Sequence, residues 1–381
     1  MAGPVPTTDL ERFGVSAEHG FLPDEPPLAS FGADAPPFLS RLDELANGLD
    51  DLLAAGELRD EVDGLEPPPD GWLEGRSTRE TERAYTVCGF LANGYVNQRG
   101  SPDVDVLPAG IAVPLSDAAS ALGRTPVLSY DAYALYNWRR LDSAAGMGPQ
   151  DLEAIHRFSG LPDERWFVVI HVAIESAAGP ALAAIGPAQA AVADGDDADL
   201  VRALRTVEEG LHDLIALLDR MREHNAPERY DQGFRPYLEA LRGVEYEGVD
   251  ALEGPQTFRG ASGAQSSVFP ALDAAVGVDH GDNPLVEHLE SLRADMPPAH
   301  RAFVEAAADG PAIRGYAAEA GGDVRTAYND AVDAMVRFRE LHVEVVSAYL
   351  AEGEAEGTGG TPYARFLSMF TEDTRDCRLP A

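Results

Sequence analysis

The apolar positions recur with a helical period along most of the chain. From Phe38 to Leu58 they fall at Leu39, Leu42, Leu45, Ala46, Leu49, Leu52 and Leu53. From Arg79 to Tyr95 they fall at Ala84, Tyr85, Val87, Phe90 and Leu91. Spacings of three and four residues place such side chains on one face of a helix. Asp131 to Leu141 predicts a third, aromatic-rich helix. Trp166 to Ile185 is apolar around its whole circumference, which predicts a buried helix, interrupted by the ionisable His171 and Glu175 one turn apart. An amphipathic helix runs from Leu200 to about Arg222 and breaks at Asn225-Ala226-Pro227. Short helical patterns follow over Arg229–Arg242 and Ser267–Val276, and Pro297-Pro298-Ala299-His300 marks a helix entry. The last long pattern has Tyr328, Val332, Met335, Phe338, Val345, Val346 and Tyr349 on one stripe, with Asp323 to cap its start and Gly353 to end it.

The connecting stretches punctuate this pattern. Residues 1 to 36 are Pro-rich and irregular, and Leu107-Pro108 and Val113-Pro114 interrupt another irregular stretch. Gly357-Thr358-Gly359-Gly360-Thr361 is either a flexible linker or a mobile lid. No βαβ alternation, phosphate loop or internal repeat is present. The chain reads as predominantly helical, with a second region beginning near residue 160.

Charge narrows the class. Sixty-five Asp and Glu face 29 basic residues, all of them arginine, giving a net charge of −36 over 381 residues. A lysine-free, carboxylate-rich surface on a chain that is 45% hydrophobic predicts a folded, halophilic protein, not an acidic disordered one. Such a charge argues against nucleic acid or an anionic membrane as partner. Two cysteines, Cys88 and Cys377, make neither a disulfide framework nor a thiolate metal site. Met1 to Gly14 has no signal-peptide core and no apolar run approaches membrane-spanning length, so a soluble, cytoplasmic protein is expected. A monomer is expected as well.

Three places carry candidate chemistry. His342 lies on the last stripe, with Arg339 one turn earlier on the same side. A neutral imidazole on an apolar face suits an axial haem ligand, and an arginine nearby suits a propionate. A core histidine bonded to a neighbour explains the pattern as well. His171 and Glu175 are either a self-satisfied helical pair or a histidine facing a pocket. The small residues from Phe258 to Ser267 either let backbone approach a flat ligand or form a flexible loop.

Taken in order, these stretches resemble the indoleamine 2,3-dioxygenases, haem enzymes that open the indole ring of tryptophan with O2. The resemblance rests on Tyr130 with Asn137-Trp138, Gln265-Ser266-Ser267-Val268-Phe269, Pro297-Pro298-Ala299-His300-Arg301, Arg339 to His342 and Gly357 to Thr361. Asn93-Gly94-Tyr95 through Ile111-Ala112-Val113-Pro114 match more loosely, and the order holds from about residue 19 to 370. It implies an all-α fold, with a small, mostly helical N-terminal domain (1–158) capping a large helical domain (159–381) that holds haem b under a Gly-rich lid. His342 becomes the proximal iron ligand, with Arg339, Asp273, Ser262 and Gly263 around the haem. Arg235 takes the substrate carboxylate, which a guanidinium clamps bidentately. Tyr130, Phe167, Leu238 and Ser262 line the indole pocket, and Thr358 belongs to the lid.

Three positions depart from the family. His171 stands at a distal position that is often serine, and becomes the catalytic candidate that accepts the indole N–H, as in the related tryptophan 2,3-dioxygenases. Tyr133 replaces a smaller residue, and Tyr230-Asp231 replaces a pair of aromatics. The implied reaction inserts O2 across C2–C3 of L-tryptophan or a related indole to give N-formylkynurenine, in tryptophan catabolism along the kynurenine pathway. It needs ferrous haem and an unidentified reductant. Another indole or aromatic amine as substrate, or O2 binding without catalysis, are the other readings.

Overall fold

A computed structural model describes residues 5–281, 286–287, 291–350 and 363–380. The first apolar pattern is three helices instead of one: α1 (Pro37–Asn47), α2 (Leu49–Ala55) and α3 (Leu58–Asp63). Gly48 interrupts it, and Gly56 ends α2 with φ +76°, a conformation costly for any residue with a Cβ. Helix α4 (Thr78–Val96) starts at a reciprocal Ser77–Glu80 capping box and is buried continuously from Thr81 to Tyr95. After β1 (Val106–Leu107) comes α5 (Ala109–Leu122), where the sequence predicted an irregular stretch. Pro108 sits at its N-cap, and Pro114 is accommodated inside it.

The predicted helix over 131–141 is also corrected. Asp131–Leu135 is a single wide turn, and β2 (Trp138–Arg140) follows, paired antiparallel with β3 (Leu152–Ala154). The aromatic spacing there fits packing and carries no helical commitment.

The long apolar run divides into α6 (Pro162–Ala177) and α7 (Gly179–Asp194). A Cβ on Gly179 would lie 2.7 Å from the Ala17 carbonyl oxygen, so the close approach of the N-terminal segment needs glycine there. By hydropathy, Pro162–Asp194 does reach membrane-spanning length, contrary to the sequence expectation; 72% of its most apolar window is buried inside the protein. Next come α8 (Asp197–Asp219), capped by the Asp196 carboxylate, and two short helices, α9 (Met221–His224) and α10 (Pro227–Arg229).

The segment 230–238 is irregular helical turn, and β4 (Leu241–Tyr246) begins where a helix was expected to continue. Strand β4 pairs antiparallel with β5 (Gln256–Phe258) and parallel with β1, Val106 opposite Glu245. The remaining helices are α11 (Val268–Val276), α12 (Pro298–Ala308), α13 (Ile313–Ala320), α14 (Gly322–Tyr349) and α15 (Tyr363–Asp376). Asp323 lies in the first turn of α14, not at its cap, and Gly353 falls outside the described residues. Helix α14 packs along α8, α8 along α7, and α15 covers α14. The fold is all-α, with two minor sheets among the described residues.

Candidate active site

Helices α6, α11, α14 and α15 and the loop between β5 and α11 enclose a cavity of about 340 Å³, inside the roughly 300–1,000 Å³ range of small-molecule sites. Every described residue predicted for the site lines it. Tyr130 and Tyr133 reach it from the first half of the chain, and Phe167 and His171 from α6. The turn after α10 supplies Tyr230, Arg235 and Leu238, and the small-residue loop supplies Ser262 and Gly263. Asp273 comes from α11, Arg339 and His342 from α14. Thr358 lies outside the described residues.

Three tethers bring these segments together. Asn93 on α4 donates from Nδ2 to the carbonyls of Tyr237 (2.9 Å) and Glu239 (3.3 Å), holding the Arg235 turn. Gly260 presses against that same turn: a Cβ on it would fall 2.6 Å from the carbonyl carbon of Glu239. Gln265, buried, accepts at Oε1 from the backbone N–H of Tyr130 (2.9 Å) and of Ser262 (3.2 Å).

His342 stands on the α14 wall between Phe338 and Val345. Burial, helped by His171 and Arg339, lowers its pKa to about 4, so the ring is neutral near pH 7. Among the described residues neither ring nitrogen makes a hydrogen bond. The core-histidine explanation therefore has no partner to name. Arg339, one turn earlier, donates from Nη2 to Asp273 Oδ2 (2.6 Å) and from Nη1 to the Phe370 carbonyl (2.8 Å) and to Thr374 Oγ1. Burial alone would raise the Asp273 carboxyl; the Arg339 charge and His280 outweigh it and hold the pKa below its usual value.

His171 stands on the α6 wall. Its Nδ1 lies 2.8 Å from the Phe167 carbonyl, an obligate acceptor, so Nδ1 carries the proton and Nε2 is the acceptor. Burial lowers its pKa and keeps the ring neutral. The predicted alternative, a His171–Glu175 pair, is not made: Glu175 takes its hydrogen bonds from Tyr130 and Ser266. Phe167 and Tyr130 flank the imidazole at ring-centroid distances of 4.4 and 5.9 Å.

Arg235 is 6% exposed, with Asp231 Oδ1 at 3.7 Å and Glu239 Oε1 at 3.8 Å from Nη1. Phe234 packs its ring on Tyr230 (5.3 Å) and Phe167 (5.5 Å) behind the wall. Tyr133 donates to Glu164 Oε1 at 3.3 Å, which turns its hydroxyl toward a buried carboxylate.

Sequence reasoning missed several contributors. Glu175 and Ser266 form a hydroxyl–carboxylate cluster, and His280 bridges Asp273 (3.3 Å) and Asp373 (3.0 Å) beside Arg339. Phe366 and Phe370 close the cavity from α15. The amphipathic spacing of α15 was the available signal.

These residues fit a haem. A neutral imidazole without a competing hydrogen bond is the right single ligand, and no cluster of three or more acidic, His or Cys side chains among the described residues offers a rival metal site. Gly263, where an added Cβ would meet nothing within 4 Å, leaves open space beside the loop for a flat group.

The sequence profile described as indoleamine 2,3-dioxygenase matches residues 9–353. The chain is 30% identical to indoleamine 2,3-dioxygenase 1 of Rattus norvegicus, over 97% of this chain and 96% of that protein. It is 31% identical to indoleamine 2,3-dioxygenase 2 of Homo sapiens, over 97% and 95%. A 6-hydroxytryptophan 2,3-dioxygenase of Fusarium equiseti is 26% identical, over 96% and 97%. Matched along nearly its whole length, the chain belongs to the indoleamine 2,3-dioxygenase family and is a haem-dependent dioxygenase of indoles.

Proposed function

We propose that the substrate is L-tryptophan and the product N-formylkynurenine, both atoms of O2 entering across the indole C2–C3 bond. The observation that carries this reading is one cavity lined by two neutral imidazoles, on α6 and α14, and by the buried Arg235. His342 would ligate the haem iron, and Arg339 with Asp273 would face the haem edge. Haem, when bound, supplies the O2-activating redox chemistry, and an external reductant belongs to the proposal.

The chain's own groups bind and orient the substrate. Arg235 clamps the carboxylate, a charge-assisted bidentate contact. His171 accepts the indole N–H at Nε2, because Nδ1 is already committed to Phe167. Tyr130, Phe167, Tyr230 and Leu238 exclude water and hold the ring in a reactive pose. Tyr133 narrows the pocket, and Thr358 is assigned to the lid on family resemblance alone. In the same reading, residues 1–158 form a cap and 159–381 the haem domain.

Asp231 favours a second reading. Its carboxylate sits 3.7 Å from Arg235 and competes with a substrate carboxylate, so another indole or an indole amine becomes a better substrate. One experiment tests both. The reduced protein is mixed with O2 and either L-tryptophan or tryptamine, and the ring-opened formyl product is followed by absorbance. Faster turnover of L-tryptophan is expected; equal or better turnover of tryptamine would remove Arg235 from carboxylate recognition.

A further inference from the structure

Glu175 lies one turn beyond His171 on α6, lines the same cavity and is 1% exposed. Its Oε1 accepts two hydrogen bonds from separate chain segments, Tyr130 OH at 2.8 Å and Ser266 Oγ at 2.7 Å. Its Oε2 is enclosed and has no hydrogen-bond partner among the described residues. Burying a carboxylate on a helix face is unfavourable, and burial raises its pKa to about 6 despite both hydroxyls. An alanine or leucine there would pack without that penalty, so the carboxylate has to be explained by what it holds.

It holds two things. Tyr130 is fixed at both ends, its backbone N–H on Gln265 and its phenol on Glu175. The Tyr130 ring then meets His171 edge to face, at 70° between ring planes. Ser266 Oγ also accepts from the Val268 N–H at 3.3 Å, so Glu175 anchors the small-residue loop where it enters α11. A role as acid or base is a poorer fit, because Oε1 is occupied and Oε2 is enclosed.

We infer that Glu175 is a positioning residue for the dioxygenase reaction: one carboxylate oxygen, shared by Tyr130 and Ser266, locks the Tyr130 ring and the Ser262–Ser266 loop against the His171 wall. The inference rests on the dioxygenase reading for its effect on turnover, and on geometry alone for its effect on the loop.

The test compares Glu175→Gln, which keeps a carbonyl acceptor, with Glu175→Leu, which does not. Both are made in the wild-type and in the Tyr130→Phe/Ser266→Ala backgrounds, with haem content and melting temperature recorded for each holoprotein. In the wild-type background, Glu175→Leu should lower kcat/KM for L-tryptophan by about tenfold or more, the loss expected on freeing charge-assisted hydrogen bonds. Glu175→Gln should stay within about threefold of wild type on the same scale. In the Phe/Ala background, Glu175→Leu should cost little more, because its two donors are already gone. Without substrate, amide hydrogen exchange at residues 262–266 should quicken in Glu175→Leu and not in Glu175→Gln.

Equal losses for Gln and Leu would overturn the assignment, since charge and not the acceptor would then matter. So would an undiminished loss in the Phe/Ala background, or unchanged exchange in the loop. If Glu175→Leu fails to fold, Tyr130→Phe/Ser266→Ala must by itself reproduce the quickened exchange and the lost turnover, or the inference falls. If the wild type turns over no indole, the substrate reading falls and the exchange comparison alone decides the hold on the loop.

Discussion

A single imidazole decides the α14 wall. The structure leaves His342 neutral, facing the cavity and without a hydrogen-bond partner among the described residues, so its replacement removes the one candidate ligand on that helix. His342→Ala should abolish stable haem binding; a variant with a full haem complement and an unchanged ferrous spectrum would exclude the assignment. On the opposite wall the Phe167 carbonyl fixes the His171 tautomer. A substrate lacking the indole N–H leaves Nε2 buried and unsatisfied, at a cost of about 1–3 kcal/mol, or roughly one to two decades in kcat/KM. His171→Ser should therefore narrow the ratio of L-tryptophan to 1-methyl-L-tryptophan turnover. An unchanged ratio with a lower melting temperature would reduce His171 to a packing residue.

Elements reach the site through backbone approaches that side-chain patterns do not announce. The Arg235 turn, the small-residue loop and α4 meet at Gly260 and Asn93. Gly260→Ala forces backbone against backbone, and overpacking of this kind costs about 1–3 kcal/mol. The variant should melt lower and show a raised KM for L-tryptophan as Arg235 shifts. Gly263→Ala, with open space around the added Cβ, should leave the melting temperature of the haem-free protein unchanged, and Gly260→Ala is compared with it in the same form. Equal melting temperatures for the two variants would mean that the loop moves aside freely. Legibility at this scale followed locality. Helices α4, α8, α11 and α14 were readable because a helical period is written in consecutive residues. The turns at 131–135 and 230–238 and strand β4 were not, because partners far along the chain decide them: β4 lies between β1 and β5.

The whole molecule carries two titrations of opposite consequence. Burial, with a smaller effect of the Arg83 charge, lowers the His156 pKa to about 3, while its Nδ1–H donates to the Ala46 carbonyl at 3.1 Å. The unfolded chain takes up that proton below about pH 6.5 and the native state does not. The stability contribution is complete above pH 6.5 and falls by about 1.4 kcal/mol per unit as pH drops toward 3. Buried carboxyls with raised pKa, Glu164 to about 7 and Glu175 to about 6, oppose it by gaining stability over part of the same acid range. Their effect cancels in a comparison of variants: the stability lost in His156→Phe relative to wild type should shrink as pH falls from 7 to 5. A constant difference would mean that His156 titrates normally. Across the whole chain, 65 carboxylates are set against 29 arginines, so repulsion outnumbers attraction even where exposed pairs form. Molar salt shortens the screening length from about 10 Å at 0.1 M to about 3 Å. Melting temperature and activity should rise between dilute buffer and molar KCl. No change would exclude the halophilic reading.

Composition and local periodicity by themselves determined the helical class, the presence of a long helix at α14 and the face on which His342 stands, because each depends on neighbours within two turns. Family resemblance, spread over stretches separated by more than two hundred residues, located most of the pocket. What only tertiary structure decided is which polar atoms are already spent. His171 and Glu175 look like a helical pair in sequence, yet one bonds to its own helix and the other to residues 130 and 266. Whether an i, i+4 pair closes on itself depends on what else comes within hydrogen-bond reach, and only the folded chain brings those groups there.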